Sequence, residues 1–340
     1  MTIDYLLLMP IIVSFFVSLH FLPVWIRKAK QIDLVWEDMN KIKYEKVSGS
    51  GGVIVVLGFV MGVLFYVGYR VFFLESHNGS LVEIFALLSV VLLLSCIGFV
   101  DDLFGWRKGG LSKRSRIILV VIASIPLIAI NAGKSSIALP SIGLFDLGLI
   151  YPLVLIPIAI IGTSTTFNFL AGFNGLEAGN GIITLFALAF VAFFTGNSWL
   201  SVIALCMVAS LFAFLIFNFY PTKVFPGDSL TYAVGGLIGI MAILGNFEKI
   251  ALFFFIPYIL EVFLKGRGKF EKQSFGTPKK DGSLDLKYDK IYSLNHAAIF
   301  LMKKFNIKPT ERKVVLTIWI FNLIIVIMGF VIFQNGILSD

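Results

Sequence analysis

Runs of about twenty apolar residues alternate along the chain with short polar stretches. An apolar run of that length crosses a hydrocarbon layer of about 30 Å as a helix. A helix also satisfies its backbone hydrogen bonds within the segment, which lipid cannot do for it. The pattern predicts ten such helices, near 2–24, 51–74, 81–100, 115–131, 151–170, 179–195, 198–219, 229–244, 248–264 and 313–335. The first has neither a basic leader nor a small-residue cleavage site and reads as a retained helix. Two polar stretches carry structure of their own. Ser135 to Pro140 and Ile142 to Leu147 flank a turn, which predicts a small external β-hairpin within 132–150. The stretch 265–312 is too long for a simple connection and reads as a substrate-recognition insert. In its second half Ile291, Leu294, Ala298, Leu301 and Phe305 recur at helical spacing among Lys290, Lys303, Lys304 and Lys308, the mark of an amphipathic helix lying in the membrane interface. The expected fold class is therefore an all-α polytopic membrane protein, a single domain over 1–340 with a small external hairpin and an interfacial helix in its last cytoplasmic loop.

Composition agrees: 58% of residues are hydrophobic and 14% charged, with mean hydropathy +0.93, far from soluble proteins. Charge adds orientation. With the N-terminus outside, all but three of the 28 lysines and arginines (Arg70, Lys134 and Lys249) fall on the inner side, as cytoplasmic loops require. Both termini are then outside and the long insert is cytoplasmic. The net charge of +8 concentrates on that inner face, where it serves topology and anionic headgroups or an anionic soluble substrate. No basic domain with interleaved aromatics supports nucleic-acid binding. Cys96 and Cys206 sit in apolar runs as small hydrophobes, and His20, His77 and His296 are too scattered for a zinc site. Any metal is held by oxygen.

Polar groups at helix ends are the informative ones, because an unpaired charge at membrane depth is costly. Asp101-Asp102 follows the third apolar run, Asn168 and Asn174 end the fifth, Glu177 begins the sixth and Asp228 the eighth, so separate inner loops bring oxygen atoms to one face. Adjacent carboxylates repel, and a hard cation relieves them; the same dipeptide also suits plain helix termination.

The stretch Gly98-Phe99-Val100-Asp101-Asp102 with the following Arg107, Lys108 and Gly109 to Arg116, the run Asn168-Phe169-Leu170-Ala171-Gly172-Phe173-Asn174-Gly175-Leu176-Glu177-Ala178-Gly179, and Asn218-Phe219-Tyr220-Pro221 with Val224-Phe225-Pro226-Gly227-Asp228-Ser229 together resemble the polyprenyl-phosphate N-acetylhexosamine-1-phosphate transferase superfamily. The second run is similar to the eukaryotic and archaeal branch, the UDP-GlcNAc:dolichyl-phosphate GlcNAc-1-phosphate transferases. Further matches are Asp38-Met39-Asn40-Lys41, Gly51-Gly52, Gly245 with Phe247 and Lys249, and Glu311-Arg312.

The resemblance implies a cytoplasmic-face enzyme that moves a sugar 1-phosphate, GlcNAc-1-phosphate foremost, from a UDP-N-acetylhexosamine to a dolichyl or polyprenyl phosphate in the bilayer, as a first membrane step of lipid-linked oligosaccharide synthesis. It implies Mg²⁺, with Mn²⁺ as the substitute, on Asn168 and Asp228. It implies acceptor activation by Asp101 or Asp102, and a phosphate contact at Arg116, or at Arg114 in a shifted alignment. Met39, Gly172 and Asn174 fall near the uridine. Lys41, Arg114, Arg267, Lys269, Lys272 and Gln273 are expected to meet phosphate or sugar. One departure concerns the sugar: an Arg-His-Arg element of the branch is replaced by Glu271-Lys272-Gln273. An acidic family position before Gly51 also appears as Gly49. Direct attack on the donor is favoured over a phospho-aspartate path. A homodimer is compatible with this reading. The alternative class is a polytopic transporter of an anionic or lipid-phosphate solute, but the chain shows no internal repeat and its polar groups cluster at helix ends instead of the midplane.

Overall fold

The computed structural model describes residues 5–43, 45–73, 80–139 and 143–337. Helices dominate: α1 (Met9–Gln31), α2 (Gly52–Phe72), α3 (Ser80–Lys108), α4 (Lys113–Ala129), α5 (Ile156–Phe167), α6 (Leu176–Phe194), α7 (Ser198–Asn218), α8 (Gly227–Gly245), α9 (Glu248–Phe254), α10 (Ile256–Arg267), α11 (Leu294–Lys304) and α12 (Glu311–Ile332). Three two-stranded antiparallel ribbons join them: β1 (Val35–Glu37) with β2 (Lys46–Ser48), β3 (Ser136–Leu139) with β4 (Gly143–Asp146), and β5 (Thr277–Pro278) with β6 (Leu284–Asp285). The β3–β4 ribbon is the hairpin expected within 132–150, although its turn residues 140–142 lie outside the described residues.

Among the described residues, seven helices are long and apolar enough to cross a membrane: those ending at Gln31, Phe72, Gly105, Phe194, Asn218, Gly245 and Ile332. The other three expected spans differ in form. Segment 115–131 is the shorter α4. Segment 151–170 opens with a wide π turn at Tyr151–Leu155 before α5. Segment 248–264 breaks at Phe255, between α9 and α10, where Pro257 occupies the first turn of the second piece and has no N–H to continue the first. The expected helix ending at residue 100 instead continues to Lys108, with Asp101 and Asp102 inside it.

α8 is the axis of the bundle, buried without interruption from Ser229 to Gly245, with α3 and α5 its main neighbours. Small residues allow close approach elsewhere. Gly58 and Gly62 of α2 face Ser18 and Ser14 of α1, one turn apart on each helix, which is how helices associate where no water drives them together. Between α6 and α12, Asn322 donates to Asn180 and Thr184 at 3.3 Å each. The outward faces carry exposed Phe16, Ile118, Ile158, Phe263 and Val331. A surface so apolar is a lipid-facing one.

α11 forms where helical spacing predicts it, but its buried face is rotated. Asn295, His296, Ala298, Ile299 and Met302 pack inward, while Leu301 and Phe305 of the expected stripe are exposed. The inward side chains bind neighbouring loops, a constraint that apolar periodicity does not register.

Gly98 on α3 lies against the start of α8, where an added Cβ would overlap the Asp228 carbonyl group and the Ser229 nitrogen. Backbone cannot step aside cheaply, and overpacking typically costs about 1–3 kcal/mol. Gly98→Val is therefore expected to lower the thermal midpoint of the detergent-solubilised protein by several degrees and to disturb the nearby carboxylates; an unchanged midpoint would contradict this packing.

Candidate active site

The acidic pair, Asn168, Asn174, Glu177 and Asp228 gather at one end of the bundle, around the connection between α5 and α6. That connection reverses the chain tightly, and Gly175 sits at φ +91°, a left-handed conformation that side chains disfavour. A loop so placed must find partners for its backbone, and they come from five elements. Ala171 O accepts from Asn295 of α11 at 3.1 Å, and Gly172 O accepts from Asn40 at 2.8 Å. Gly172 N–H donates to Glu177 of α6 and Asn174 N–H to Glu311 of α12, both at 3.0 Å. Gly175 N–H donates to Asn218 at the end of α7, at 3.1 Å.

Beside this loop stand the carboxylates. Asp102 accepts the Asp228 N–H at 2.8 Å on Oδ1, with Ser229 N 3.5 Å from Oδ2. The residue preceding α8, Pro226, has no side chain to cap those amides. Asp102 therefore caps α8 from another helix, with its charge against the positive end of the dipole. That partner explains why α3 continues through the acidic pair instead of ending before it.

Asp101 faces the other way. Its Oδ1 accepts from Leu111 N–H at 2.6 Å and from Arg116 Nη2 at 3.1 Å. Its Oδ2 lies 2.8 Å from the same Nη2, without a hydrogen-bond donor aligned on it. Arg116 Nη1 reaches to 4.0 Å from Asp228 Oδ2, and Asn168 Nδ2 donates to Asp228 Oδ1 at 3.0 Å. Arg114 is exposed, so of the two arginines Arg116 is the one at the carboxylates.

A short parallel contact fixes Asp228 in place: Ser48 at the end of β2 bridges Val224, Phe225 N–H donates to Ser48 O at 2.7 Å, and Gly51 N–H donates to Phe225 O at 2.9 Å. A cavity of about 570 Å³ opens here, lined by Trp36, Asp38, Met39, Asp102, Asn168, Gly172, Asn174, Phe225, Asp228 and Phe275 among others. A smaller one of about 250 Å³ adjoins it, lined by Asn168, Gly172, Lys265, Lys272, Gln273, Ser274 and Phe275 among others.

The sequence-expected residues thus separate into two groups. Asp101, Asp102, Arg116, Asn168, Asp228, Met39, Gly172 and Asn174 converge, and Lys272 and Gln273 line the neighbouring cavity. Arg267 and Lys269 are exposed and line neither. Lys41 is engaged elsewhere, 2.5 Å from Glu311 and 3.3 Å from Asp38. Burial alone would depress Lys41, but Glu311 and Asp38 overcome it and hold its ammonium above the ordinary lysine value.

Sequence reasoning placed Glu177 among the candidate polar groups, and Asp38 and Glu311 in matching stretches, without giving them a role; it did not reach Asn295, nor Tyr232, which lies one turn beyond Asp228 and against Arg116. The four-residue spacing of Asp228 and Tyr232 on one helix face was the available signal for the last.

The donor set is all oxygen. Asn168 commits its amide N–H to Asp228, leaving Oδ1 without a hydrogen bond among the described residues, beside a carboxylate lining the same cavity. Among the described residues no group of three or more His, Cys, Asp or Glu forms a metal cage. These residues fit a hard cation such as Mg²⁺, which takes one or two protein oxygens and completes its shell with water and phosphate. They do not fit a dedicated structural metal.

Residues 84–246 match the model of glycosyl transferase family 4. The chain is 38% identical over 317 residues to a protein of Saccharolobus solfataricus provisionally named UDP-N-acetylglucosamine–dolichyl-phosphate N-acetylglucosaminephosphotransferase, with 92% of each chain covered. Identity to the enzyme of that name from Dictyostelium discoideum is 31% over 268 residues, covering 68% of this chain and 64% of the other. A phospho-N-acetylmuramoyl-pentapeptide-transferase of Shouchella clausii is 32% identical over 272 residues, covering 76% and 81% respectively.

Behind the smaller cavity, His296 holds the insert in place. Its Nδ1 accepts Tyr292 N–H at 3.4 Å, so the proton is on Nε2, 3.2 Å from Phe275 O. Burial pushes this imidazole below its ordinary value of 6.5. The unfolded chain therefore takes up a proton below that value which the folded one resists, so this contribution is intact above pH 6.5 and is lost as pH falls below it. The wild type is expected to lose stability on acidification from pH 7.5 to 5.5 by up to about 1.4 kcal/mol per pH unit more than His296→Gln. Parallel thermal-midpoint profiles for the two proteins would contradict this.

Proposed function

Because the chain belongs to glycosyl transferase family 4, we propose that it transfers N-acetylglucosamine 1-phosphate from UDP-GlcNAc to a dolichyl or polyprenyl phosphate and releases UMP. The observation that carries this reading is a cavity at one end of a membrane bundle that Asn174, Gly172, Asn168, Asp102 and Asp228 line together, with Arg116 beside Asp228 and Asp101 paired to Arg116. Relatives along nearly the whole chain bear the name of that reaction.

In the step itself an oxygen of the acceptor phosphate forms a bond to the β-phosphorus of the donor, while the bond from that phosphorus to the oxygen bridging the uridine phosphate breaks. UMP leaves with the electron pair, and the product is a lipid diphosphate sugar. Phosphoryl transfer asks mainly for alignment and charge neutralisation. Asp228 and Asn168 would hold Mg²⁺, or Mn²⁺ in its place, which when bound neutralises charge on the donor diphosphate. Arg116, held between Asp101 and Asp228, presents cationic charge to the phosphates. Asp102 has its oxygens committed to the α8 amides, so the acceptor's proton falls to Asp101, whose Oδ2 lacks an aligned donor.

The same reading assigns ten crossings, counting α4, α5 and the broken α9–α10 pair, with both termini outside and the active site cytoplasmic. That orientation rests on the lysine and arginine distribution. The exposed Leu301 and Phe305 of α11 then meet the membrane interface beside Lys303 and Lys304. The sugar lies in the smaller cavity, where Lys272 and Gln273 offer donors without the planar fork of arginine.

Two experiments test this reading. Asp228→Ala and Asp101→Asn should fold normally yet lose at least about a hundredfold in UMP release from UDP-GlcNAc and a dolichyl phosphate, in keeping with the reach of charge and proton-transfer contributions. Asp102→Asn should lose less activity and more stability, since its role is to cap α8. Wild-type turnover in Asp228→Ala would sink the metal assignment. For the sugar, weighing the lipid product formed from a panel of UDP-sugars should reveal GlcNAc transfer. A Lys272→Ala, Gln273→Ala double variant should reject UDP-GalNAc less well with its metal requirement unchanged; intact discrimination would remove the sugar from that cavity.

A further inference from the structure

α6 and α12 run side by side in the same direction, and their contacts keep one register. Asn174, just before α6, donates its N–H to Glu311 across 137 positions of chain. Trp319 Nε1 donates to Leu176 O at 3.4 Å across 143 positions, and Asn322 donates to Asn180 and Thr184 across 142 and 138. A separation that stays nearly constant along about three turns of α12 means that one lengthwise setting serves all four contacts. A slip of a single turn, about 5.4 Å, would carry Glu311 out of reach of the Asn174 N–H that it holds at 3.0 Å.

The groups able to fix that setting lie in the apolar part of the bundle. The Trp319 indole is seated where an added Cβ on Gly179 would stand, but apolar packing has no direction and tolerates sliding. Hydrogen bonds do not. Among the buried residues of α12 the polar ones are Glu311 and Asn322, and Asn322 meets Asn180 and Thr184 fully inside the bundle. As a source of stability this contact is poor. Both bonds from Asn322 Nδ2 are 3.3 Å long, beyond the usual range, and Asn180 Nδ2 and Asn322 Oδ1 are buried without a partner among the described residues. Turning both amides over only exchanges the orphaned ends. Polar groups so incompletely satisfied gain little over apolar ones of the same shape. What a single buried asparagine between helices does supply is register.

We infer that Asn322, bonded to Asn180 and Thr184, is a positioning residue that pins α12 lengthwise on α6 and so holds the Glu311 carboxylate at the Asn174 amide, about three turns away. The pin is independent of the reaction assigned above; its effect on catalysis rests on that reading. Neighbouring amides of the same loop supply the control, since Gly172 N–H is held by Glu177 of α6 and Gly175 N–H by Asn218 of α7, without α12.

The test is hydrogen exchange in the detergent-solubilised full-length protein, read at single amides by fragmentation mass spectrometry. In Asn322→Leu, which keeps the volume and removes the amide, the Asn174 N–H should exchange severalfold faster than in wild type. The Gly172 and Gly175 amides should be unchanged, and the thermal midpoint no lower. Asn180→Leu attacks the same bonds from α6 and should give the same pattern, whereas Leu323→Ala, one position on and exposed, should leave Asn174 as it is. UMP release from UDP-GlcNAc and a dolichyl phosphate should fall severalfold in both leucine variants. A general structural role would lower the midpoint and speed all three amides together, and that result overturns the pin. So does wild-type exchange at Asn174 in folded Asn322→Leu or Asn180→Leu. A wild type that releases no UMP removes the transferase reading, and the exchange pattern still decides the pin.

Discussion

The backbone of residues 171–175 lies between two helices at the mouth of an apolar bundle, and each of its amides and carbonyls that turns inward needs a partner there. An unpaired buried peptide group costs about 1–3 kcal/mol, comparable with a tenth or more of a domain's net stability. Side chains of Asn40, Glu177, Asn218, Asn295 and Glu311 supply partners. Because these come from the loop between β1 and β2 and from α6, α7, α11 and α12, satisfying one loop draws five elements to a common point. The cavity is the space enclosed by that convergence.

The same economy governs the acidic pair. Two adjacent carboxylates at a helix end are a liability unless each finds a separate partner, and the bundle supplies one on each side. Asp102 takes the exposed amides of α8, where a helix dipole already favours negative charge. Asp101 takes Arg116. The packing of α3 on α8 that brings this about needs Gly98, since any side chain there would enter the first turn of α8. Thus a glycine in the apolar part of the helix, a cap in its polar part and the register of Asp228 are one arrangement seen at three depths.

The long polar segment 265–312 is a scaffold as well as a cover. Lys265, pushed below the ordinary lysine value by burial with Glu261 opposing, bonds Ser274 and the Lys272 carbonyl. Glu261 accepts the Leu294 N–H at the start of α11, His296 meets the Phe275 carbonyl, and Asn295 reaches the loop at Ala171. Each bond fixes backbone, so Phe275 and Ser274 stand at the cavity wall by several independent constraints. Catalytic geometry of this kind depends on rigid support behind the groups that touch substrate.

Much of this was legible in the linear chain, for a definite reason. Whether a segment can cross a membrane depends on its own length and apolarity, so the long helices, the hairpin at 136–146 and the helical tendency near 294–304 follow from local pattern. The scatter of the three histidines and two cysteines likewise leaves oxygen atoms as the expected donors to any metal. Local pattern fails where function depends on pairing between distant residues. Asp102 and the amide it caps are 126 positions apart, Asn174 and Glu311 are 137 apart, and Lys41 and Glu311 are 270 apart. Which aspartate caps and which faces Arg116, why Arg116 and not Arg114, and why Lys41 pairs with Glu311 are decided by how α3, α8 and α12 pack. The sequence could name the oxygen atoms and cations. Only the packed bundle, by giving each buried charge and each loop amide its one available partner, decided their roles.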